Sequence, residues 1–76
     1  MSTLYPTPVK EKTMLIDEVG TITYIGVAKL GVATSDAQWQ IRKIQLDGTT
    51  TSLQYANGSR RYNQVWDDRS ILTYSN

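Results

Sequence analysis

The chain has 76 residues, with eight Lys and Arg residues against seven Asp and Glu residues and with no cysteine or histidine. The near balance of charge argues against the strongly basic face of a nucleic-acid-binding protein, and the missing ligand types argue against a zinc site. No apolar run approaches the length of a membrane span. A chain of this length predicts one small domain, whose marginal stability no disulfide can improve.

The composition favours β-structure. Threonine, tyrosine, isoleucine and valine are frequent and strong helix formers are sparse, and residues of the first group pack well on a pleated sheet. We therefore predict an all-β fold, a small antiparallel sandwich or partly open barrel of about five strands, with one short helical turn as an option. Residues 1–12 are predicted to form an extended N-terminal arm, and residues 13–76 the small β domain.

The N-terminal arm contains both prolines of the chain, Pro6 and Pro8. Proline fixes φ and removes a backbone donor, so the arm is predicted to be extended and to lie outside the centre of any sheet. Two interpretations remain open: a loosely packed chain end, or an arm that becomes ordered on a neighbouring subunit through Leu4, Tyr5 and Val9. The arm lacks the apolar core of a signal peptide, so we expect the protein to fold in the cytoplasm.

The first two strands are predicted on either side of Gly20. The apolar run Met14–Ile16 is bounded by acidic residues and indicates a strand over 13–19. Residues 21–28 alternate but carry apolar side chains on both faces, which predicts a strand covered on both sides. Gly26 inside this strand indicates a β-bulge or a close neighbour.

Residues 38–55 carry the clearest local signal in the chain. Two β-prone runs flank Asp47-Gly48, and an Asp-Gly pair between such runs is a strong hairpin signal because both residues tolerate positive φ. The stretch therefore predicts a tight turn at Asp47-Gly48 that joins two antiparallel strands.

The first strand of this hairpin shows a switch in the alternation of its apolar residues. Trp39 and Ile41 share one parity, whereas Ile44 and Leu46 share the other. One extra residue at a β-bulge resets the period of two. A bulge near Arg42-Lys43 is therefore predicted, with all four apolar side chains buried on one face.

The C-terminal part of the domain begins with a second turn signal, because Asn57-Gly58 favours a type I′ turn. Beyond it, apolar and aromatic residues recur at helical spacing over only two turns. A short helix and a strand therefore both remain open between residues 62 and 69. Residues 70–75 are predicted to close the domain as a strand, with Leu72 and Tyr74 on the same face.

No motif in the chain indicates catalysis, a metal or a cofactor. Asp67-Asp68 are adjacent carboxylates, but a calcium loop supplies several acidic ligands at alternating spacing. Acid–base catalysis also requires carboxylates at a controlled separation in a cleft. We therefore predict no enzyme activity and no cofactor. Arg69 is expected to pair with a carboxylate or to cover the Trp66 ring.

The aromatic residues leave two questions open. Trp39 and Trp66 each either bury a large apolar area in the core or form an exposed binding hot spot. Tyr55 and Tyr62 stand near basic residues, and small β-barrels bind nucleic acid through aromatic platforms and basic grooves. The basic residues concerned are Arg42, Lys43, Arg60 and Arg61. The alternative is that they belong to a solvated sheet surface.

Two sequence patterns occur together in the domain. The first is Tyr24-Ile25-Gly26-x-Ala28-x-x-Gly31, then Ser35, then Trp39-x-Ile41-x-Lys43-Ile44. The second is Ala56-Asn57-Gly58, then Tyr62, then Val65-Trp66-Asp67-Asp68-Arg69, then Leu72-x-Tyr74. The pair resembles short structural proteins encoded by tailed bacteriophages, from Tyr24 to Tyr74.

This resemblance implies a structural role in the phage particle and no catalytic residues. The expected function is that of a multicopy head decoration or cement protein that acts by protein–protein contacts. A tail or connector component, and a small nucleic-acid-binding β-barrel, are the alternatives. Expected partners are other virion proteins, with the major capsid protein as one candidate, and further copies of the chain. Neither a membrane nor nucleic acid is an expected partner. The expected location is the virion, after synthesis in the host cytoplasm. The candidate partner interface comprises Leu4, Tyr5, Val9, Tyr62, Trp66 and Arg69.

Overall fold

A computed structural model describes residues 12–75. These residues form one antiparallel sheet with one 3-10 turn, so the predicted all-β fold is confirmed. The strands, in chain order, are β1 (Lys12–Val19), β2 (Ile22–Lys29), β3 (Ala37–Asp47), β4 (Thr50–Ala56), β5 (Gln64–Val65) and β6 (Tyr74–Ser75), with the 3-10 turn at Trp66–Asp68. They are ordered β1-β2-β3-β4-β6, with β5 paired to β3, and the sheet is not closed into a barrel.

The hairpin between β3 and β4 is confirmed, but its turn lies one residue later than predicted. Asp47 pairs with Thr50, so the central turn residues are Gly48 and Thr49. Gly48 has a φ of 63°, and positive φ at the first central residue alone is the pattern of a type II′ turn. Glycine adopts this conformation at no steric cost, so the turn places its glycine first and leaves aspartate as the last strand residue.

The predicted type I′ turn at Asn57-Gly58 is confirmed. The two residues have φ of 53° and 64°, and the Ser59 N–H donates to the Ala56 carbonyl at 3.0 Å. This turn ends β4 and is followed by the segment that leads to β5, which pairs with the first part of β3.

The β-bulge predicted near Arg42-Lys43 is wrong. β3 keeps a continuous antiparallel register with β2 and with β4 across this point. Trp39 and Ile41 are consequently buried on one face, whereas Ile44 and Leu46 lie on the other, where Leu46 is 51% exposed. Hydrogen bonding to a regular strand on each side maintains the period of two. The change of parity therefore places apolar residues on both faces of the sheet.

We call the face that carries Trp39 the core face. Trp39 and Ile41 are almost fully buried there, with exposures of 1% and 0%. The C-terminal segment brings Trp66 onto this face and so covers its centre. The buried cluster comprises Tyr24, Ala28, Trp39, Ile41, Ala56 and Trp66, and the partly buried side chains packed against it are Leu15, Ile22, Val32, Leu72 and Tyr74.

Gly26 permits the close packing of Trp66 on the sheet. A Cβ atom built at Gly26 would overlap the Trp66 ring, with Trp66 Cζ3 at 2.6 Å and Trp39 Cε3 at 3.2 Å. The centroids of the two indole rings lie 5.9 Å apart. The close neighbour predicted for Gly26 is therefore confirmed. The strand has no bulge there, because its register with β1 and β3 is continuous.

The C-terminal segment combines the two structures that the sequence left open, since β5 is followed directly by the 3-10 turn. The strand predicted over 70–75 is shorter than expected, and only Tyr74–Ser75 pairs with β4. The residues before it form turns, in which the Leu72 N–H donates to the Asp68 carbonyl at 3.2 Å. Leu72 and Tyr74 both pack against the core cluster, in agreement with their predicted common face.

Candidate interaction surface

The face opposite the core face carries several exposed apolar side chains and is largely uncovered by residues 12–75, and we call it the open face. Its most exposed large side chains are Ile16 (60%), Met14 (59%), Leu46 (51%) and Leu53 (47%). Partly buried side chains lie between them, namely Ile25, Ile44 and Tyr55. The open face is thus built by β1 to β4, from the residues that alternate with those of the core face.

On the open face, apolar side chains are direct neighbours within each of the two hairpins, whereas between β2 and β3 Ile25 lies opposite Arg42 and Ile44 lies opposite Thr23. Ile16 pairs with Ile25 between β1 and β2, and Ile44 pairs with Leu53 between β3 and β4. The Cβ atoms of directly opposite residues lie about 4.5–5.5 Å apart, so these apolar side chains contact one another. Exposed apolar clusters of this kind are typical of contacts with other proteins.

Tyr55, on the open face, lies near two guanidinium groups. The Cζ atoms of Arg42 and Arg60 are 5.8 Å and 5.4 Å from its ring centroid, within cation–π range. Gln40 positions both arginines, because its Nε2 donates to the Arg60 carbonyl at 2.7 Å and its Oε1 accepts from Arg42 Nη2 at 3.0 Å. The buried Nε of Arg42 has no acceptor among residues 12–75. Two of the basic residues grouped by the sequence therefore meet at one tyrosine, whereas Lys43 lies on the core face.

A small cavity lies at the end of the open face, where the chain enters β1. It has a volume of about 210 Å³ and is lined by Lys12, Lys29, Gln38 and Tyr62. The Lys12 Nζ lies 4.2 Å from the centroid of the Tyr62 ring. Sites for small-molecule ligands usually enclose about 300–1,000 Å³. The cavity is smaller than such a site, but it places an exposed tyrosine beside the point where the N-terminal arm joins the domain.

Of the predicted interface residues that lie within 12–75, Tyr62 and Trp66 do not share a surface. Tyr62 is exposed at the end of the open face, whereas Trp66 lies in the core and is only 5% exposed. Of the two interpretations of Trp66, the structure therefore shows burial in the core. The remaining aromatic and aliphatic candidates, Leu4, Tyr5 and Val9, lie outside the described residues.

Arg69 makes both of the contacts expected of it. Its Nε donates to Asp17 Oδ2 at 3.0 Å, which connects the C-terminal segment to β1. Its guanidinium lies 4.5 Å from the centroid of the Trp66 ring, and its Nη1 donates to the Trp66 carbonyl at 3.1 Å. Arg69 thus holds Trp66 on the sheet, and these hydrogen bonds use two of its five N–H donors.

Tyr74 extends this network on the core face. Its hydroxyl donates to the Arg69 carbonyl at 2.7 Å. Burial and then the neighbouring Tyr24 raise the pKa of Tyr74 from 10.0 to about 12, although Arg69 acts in the opposite direction. The phenol therefore remains protonated near neutral pH, and its hydroxyl serves as a hydrogen-bond donor that ties the last strand to the 3-10 turn.

The residues of the open face were missed by reasoning from sequence, although a signal for them was present. Ile44 and Leu46 lie at even-numbered positions, whereas Trp39 lies at an odd-numbered position. The predicted bulge brought all of them onto one face, whereas a regular strand places them on two faces. The apolar residues on both faces of β2 pointed to the second face independently. Together, the two observations would have predicted an apolar surface opposite the core.

Comparisons of this chain with protein-family models, with curated proteins and with solved structures give no match. Within residues 12–75, no three side chains of the types His, Cys, Asp and Glu are grouped so that they could hold a metal ion. The same residues include no helix with the length and apolar character needed to cross a membrane.

Proposed function

We propose that the protein is a structural component of a tailed-phage particle, present in many copies and acting by protein–protein contacts. Its proposed position is the head surface, where it acts as a decoration or cement protein bound to other virion proteins. Two observations support this proposal. One is the resemblance of residues 24–74 to short structural proteins of tailed phages, and the other is the open face.

The open face is the observation that carries the proposal. Complete burial of an aliphatic side chain contributes about 1.5–3 kcal/mol, so covering the exposed half of four such side chains contributes about 4 kcal/mol. Association itself costs about 4–15 kcal/mol. One open face therefore gives weak binding by itself, which suits a subunit that is held by several contacts on a repeating lattice.

The N-terminal arm supplies a further proposed contact. Leu4, Tyr5 and Val9 stand among its prolines, and an extended segment of this kind can add to the sheet edge of a neighbouring subunit. The arm joins β1 beside the exposed Tyr62. Arm and open face would then contact neighbouring virion proteins together.

The proposal is tested first by mass spectrometry of purified particles. The protein is expected in intact particles. Its copy number should match the number of equivalent positions that the symmetry of the head provides. Its absence from intact particles contradicts the whole assignment. A copy number typical of a tail or connector ring contradicts the position on the head surface but not the structural role.

The role of the open face is tested by Leu53→Lys, with Ser52→Lys as the matched control in the same strand. Ser52 is exposed and lies on the opposite face, because it pairs with Gln45. Both variants add one lysine at an exposed position and are expected to change the free energy of unfolding by about 1 kcal/mol or less. Binding to particles that lack the protein should fall at least tenfold for Leu53→Lys only. Equal binding by both variants contradicts a role for the open face.

The arm is tested separately by deleting residues 2–11, which leaves β1 intact. Reduced binding to particles with an unchanged thermal unfolding midpoint is the expected result. Undiminished binding contradicts the role of the arm and leaves the open face as the contact.

A second candidate function, nucleic-acid binding, is favoured by the placement of Arg42 and Arg60 around Tyr55. Base stacking on an aromatic ring flanked by arginines is a known mode of single-strand binding. Its test is the affinity for single-stranded DNA and RNA as a function of salt. A nucleic-acid-binding protein would bind with an affinity that falls steeply between 50 mM and 200 mM salt, roughly a thousandfold or more for several phosphate contacts. The structural proposal expects no such binding.

A further inference from the structure

The outer edge of β1 is free along its whole length within residues 12–75. β1 is the first strand in the sheet order and pairs on one side only, with β2. In an antiparallel ladder, alternate residues point their N–H and C=O groups to one neighbour and the rest point them to the other. Val19 closes the first hairpin opposite Ile22, so the backbone N–H and C=O groups of the odd-numbered residues of β1 point towards β2. The even-numbered residues therefore present their backbone groups at the free edge.

The hydrogen bonding elsewhere in the sheet agrees with this assignment. The Leu46 N–H donates to the Thr21 carbonyl at 3.0 Å. In the β2–β3 ladder, therefore, the odd-numbered residues of β2 and the even-numbered residues of β3 direct their backbone groups towards each other. The opposite set of β2 residues is thereby left for β1. The free edge of β1 thus offers the backbone groups of Lys12, Met14, Ile16 and Glu18, whose side chains all lie on the side of the open face.

We propose that β1 is a self-association strand, through which two copies join edge to edge in antiparallel orientation around a two-fold axis at Leu15. In this register Lys12 lies directly opposite Glu18 of the second copy, and Met14 opposite Ile16 of the second copy. Leu15 lies opposite its own equivalent. Opposite charges and apolar pairs at directly opposed positions stabilise antiparallel strands, and a two-fold contact forms each pair twice.

The sequence of β1 distinguishes this register from its neighbours. A two-fold axis normal to the sheet preserves its faces, so only shifts of two residues compete. An axis at Ile16 would place Leu15 opposite Asp17 and Met14 opposite Glu18, which sets apolar side chains against carboxylates. An axis at Met14 would place Lys12 opposite Ile16, which sets a charged side chain against an apolar one. The axis at Leu15 is the one of the three that places Lys12 opposite Glu18 and Met14 opposite Ile16, with Thr13 opposite Asp17.

Pairing of two β1 strands would extend the open face from one copy into the next. Met14 and Ile16 lie at the β1 side of that face, so their equivalents in the two copies become neighbours across the axis. This inference deepens the proposed function and rests on it, because it supplies the contact between copies of a multicopy subunit. A free eight-residue strand edge presents unpaired backbone groups, which form a template for pairing with another chain.

The register is tested by three single-cysteine variants, since the chain has no native cysteine. Residues opposed at a non-hydrogen-bonded position have Cα atoms about 4.5 Å apart, which lies within the range of disulfides. Under mild oxidation Leu15→Cys is expected to form a covalent dimer. Met14→Cys and Ile16→Cys alone should cross-link much more slowly, because neither residue opposes itself. Faster cross-linking of Met14→Cys or Ile16→Cys identifies a neighbouring axis and overturns the proposed register.

The pairing is tested independently by charge reversal, which does not depend on the partly buried Leu15. Lys12→Glu and Glu18→Lys each place like charges opposite one another twice per dimer. Each is expected to weaken self-association by about threefold to tenfold in sedimentation equilibrium. The combined variant Lys12→Glu/Glu18→Lys should restore wild-type association. Failure of restoration, or a wild-type protein that stays monomeric up to millimolar concentration, overturns the proposal.

These outcomes are separate from those that test the proposed function. A protein found in particles but monomeric in solution, and without cross-linking of Leu15→Cys on the particle, loses the β1 contact and keeps the structural role. A protein that dimerises through β1 but is absent from particles loses the proposed function, and the dimer then requires another explanation.

Discussion

Gly26 and Trp66 decide how the core is assembled at the level of single residues. The indole covers the backbone of β2 at the one position of that strand without a side chain. The φ of Gly26 lies outside the positive range, so the glycine is required for space rather than for backbone conformation. Arg69 covers the outer side of the indole and connects it to Asp17 on β1. A small core can thus enclose two tryptophans.

Gly26→Ala is expected to lower the free energy of unfolding by about 1–3 kcal/mol, because the added methyl group overlaps the Trp66 ring. Without that overlap the same change would stabilise a strand slightly, by about 0.4–1 kcal/mol. Trp66→Ala should cost about 3–5 kcal/mol. Denaturant unfolding of both variants and of the double variant measures the coupling.

The double variant should cost less than the sum of the two single changes, since the alanine methyl group no longer meets a ring. Strict additivity would show that Gly26 does not contact Trp66. Near-normal stability of Trp66→Ala, combined with lost particle binding, would move Trp66 from the core to an interface.

Tyr74 provides a pH-dependent test of the same region. Its pKa is raised from 10.0 in the unfolded chain to about 12 in the fold. Well below pH 10 the phenol is protonated in both states and its contribution to stability is complete. Between pH 10 and about 12 the unfolded phenol ionises first, so stability is lost as the pH rises.

Tyr74→Phe should remove this part of the alkaline loss of stability. The measurement is the difference in unfolding free energy between wild type and variant at several pH values from 9 to 12. Tyr24, Lys43 and Arg69 face the same ring region, and their own effects remain in both proteins. A difference that does not change with pH would contradict the raised pKa.

At the level of elements, the two long hairpins are the units from which the sheet is built. Each has two strands joined by a Gly-Thr turn with positive φ at the glycine alone, and β2 pairs with β3 to join the units. Turns of this type match the right-handed twist of the strands. The C-terminal segment adds little sheet of its own and serves to cover the core face.

Gly48→Val is expected to destabilise the domain by at least about 1–2 kcal/mol, since a β-branched residue resists positive φ. Thr49→Val is the matched control, because Thr49 does not share this conformation. Thermal or denaturant unfolding compares the two. An equal effect of both changes would show that loss of the glycine conformation is not the cause.

At the level of the whole molecule, the sheet has two faces with different roles. The core face is covered by the chain's own C-terminal segment, whereas the open face and the β1 edge are uncovered by residues 12–75. A domain of this size is only marginally stable alone. Contacts with neighbours would therefore add to its stability.

Self-association through β1 makes the stability of the protein depend on its concentration. The thermal unfolding midpoint of the wild type is expected to rise with protein concentration, because association stabilises the folded state. The midpoint of Lys12→Glu should rise less over the same range, and that of the charge-swapped double variant should follow the wild type. A midpoint that is independent of concentration would contradict association at the concentrations used.

The sequence by itself determined the fold class, the β3–β4 hairpin and the Asn57-Gly58 turn. These features depend on local backbone preferences, on glycine conformation and on the period of two, all of which are written in short stretches of chain. The function in a phage particle is still a proposal, supported by a resemblance and by a surface.

Only the tertiary structure decided which face each apolar residue serves. The parity change between Ile41 and Ile44 allowed either a bulge or a second apolar face, and the regular register with β2 and β4 selected the second. The burial of Trp66 and the exposure of Leu46 also depend on where the C-terminal segment crosses the sheet. The position of the C-terminal segment is set by packing between residues far apart in sequence. The alternation of apolar residues along one strand cannot specify it.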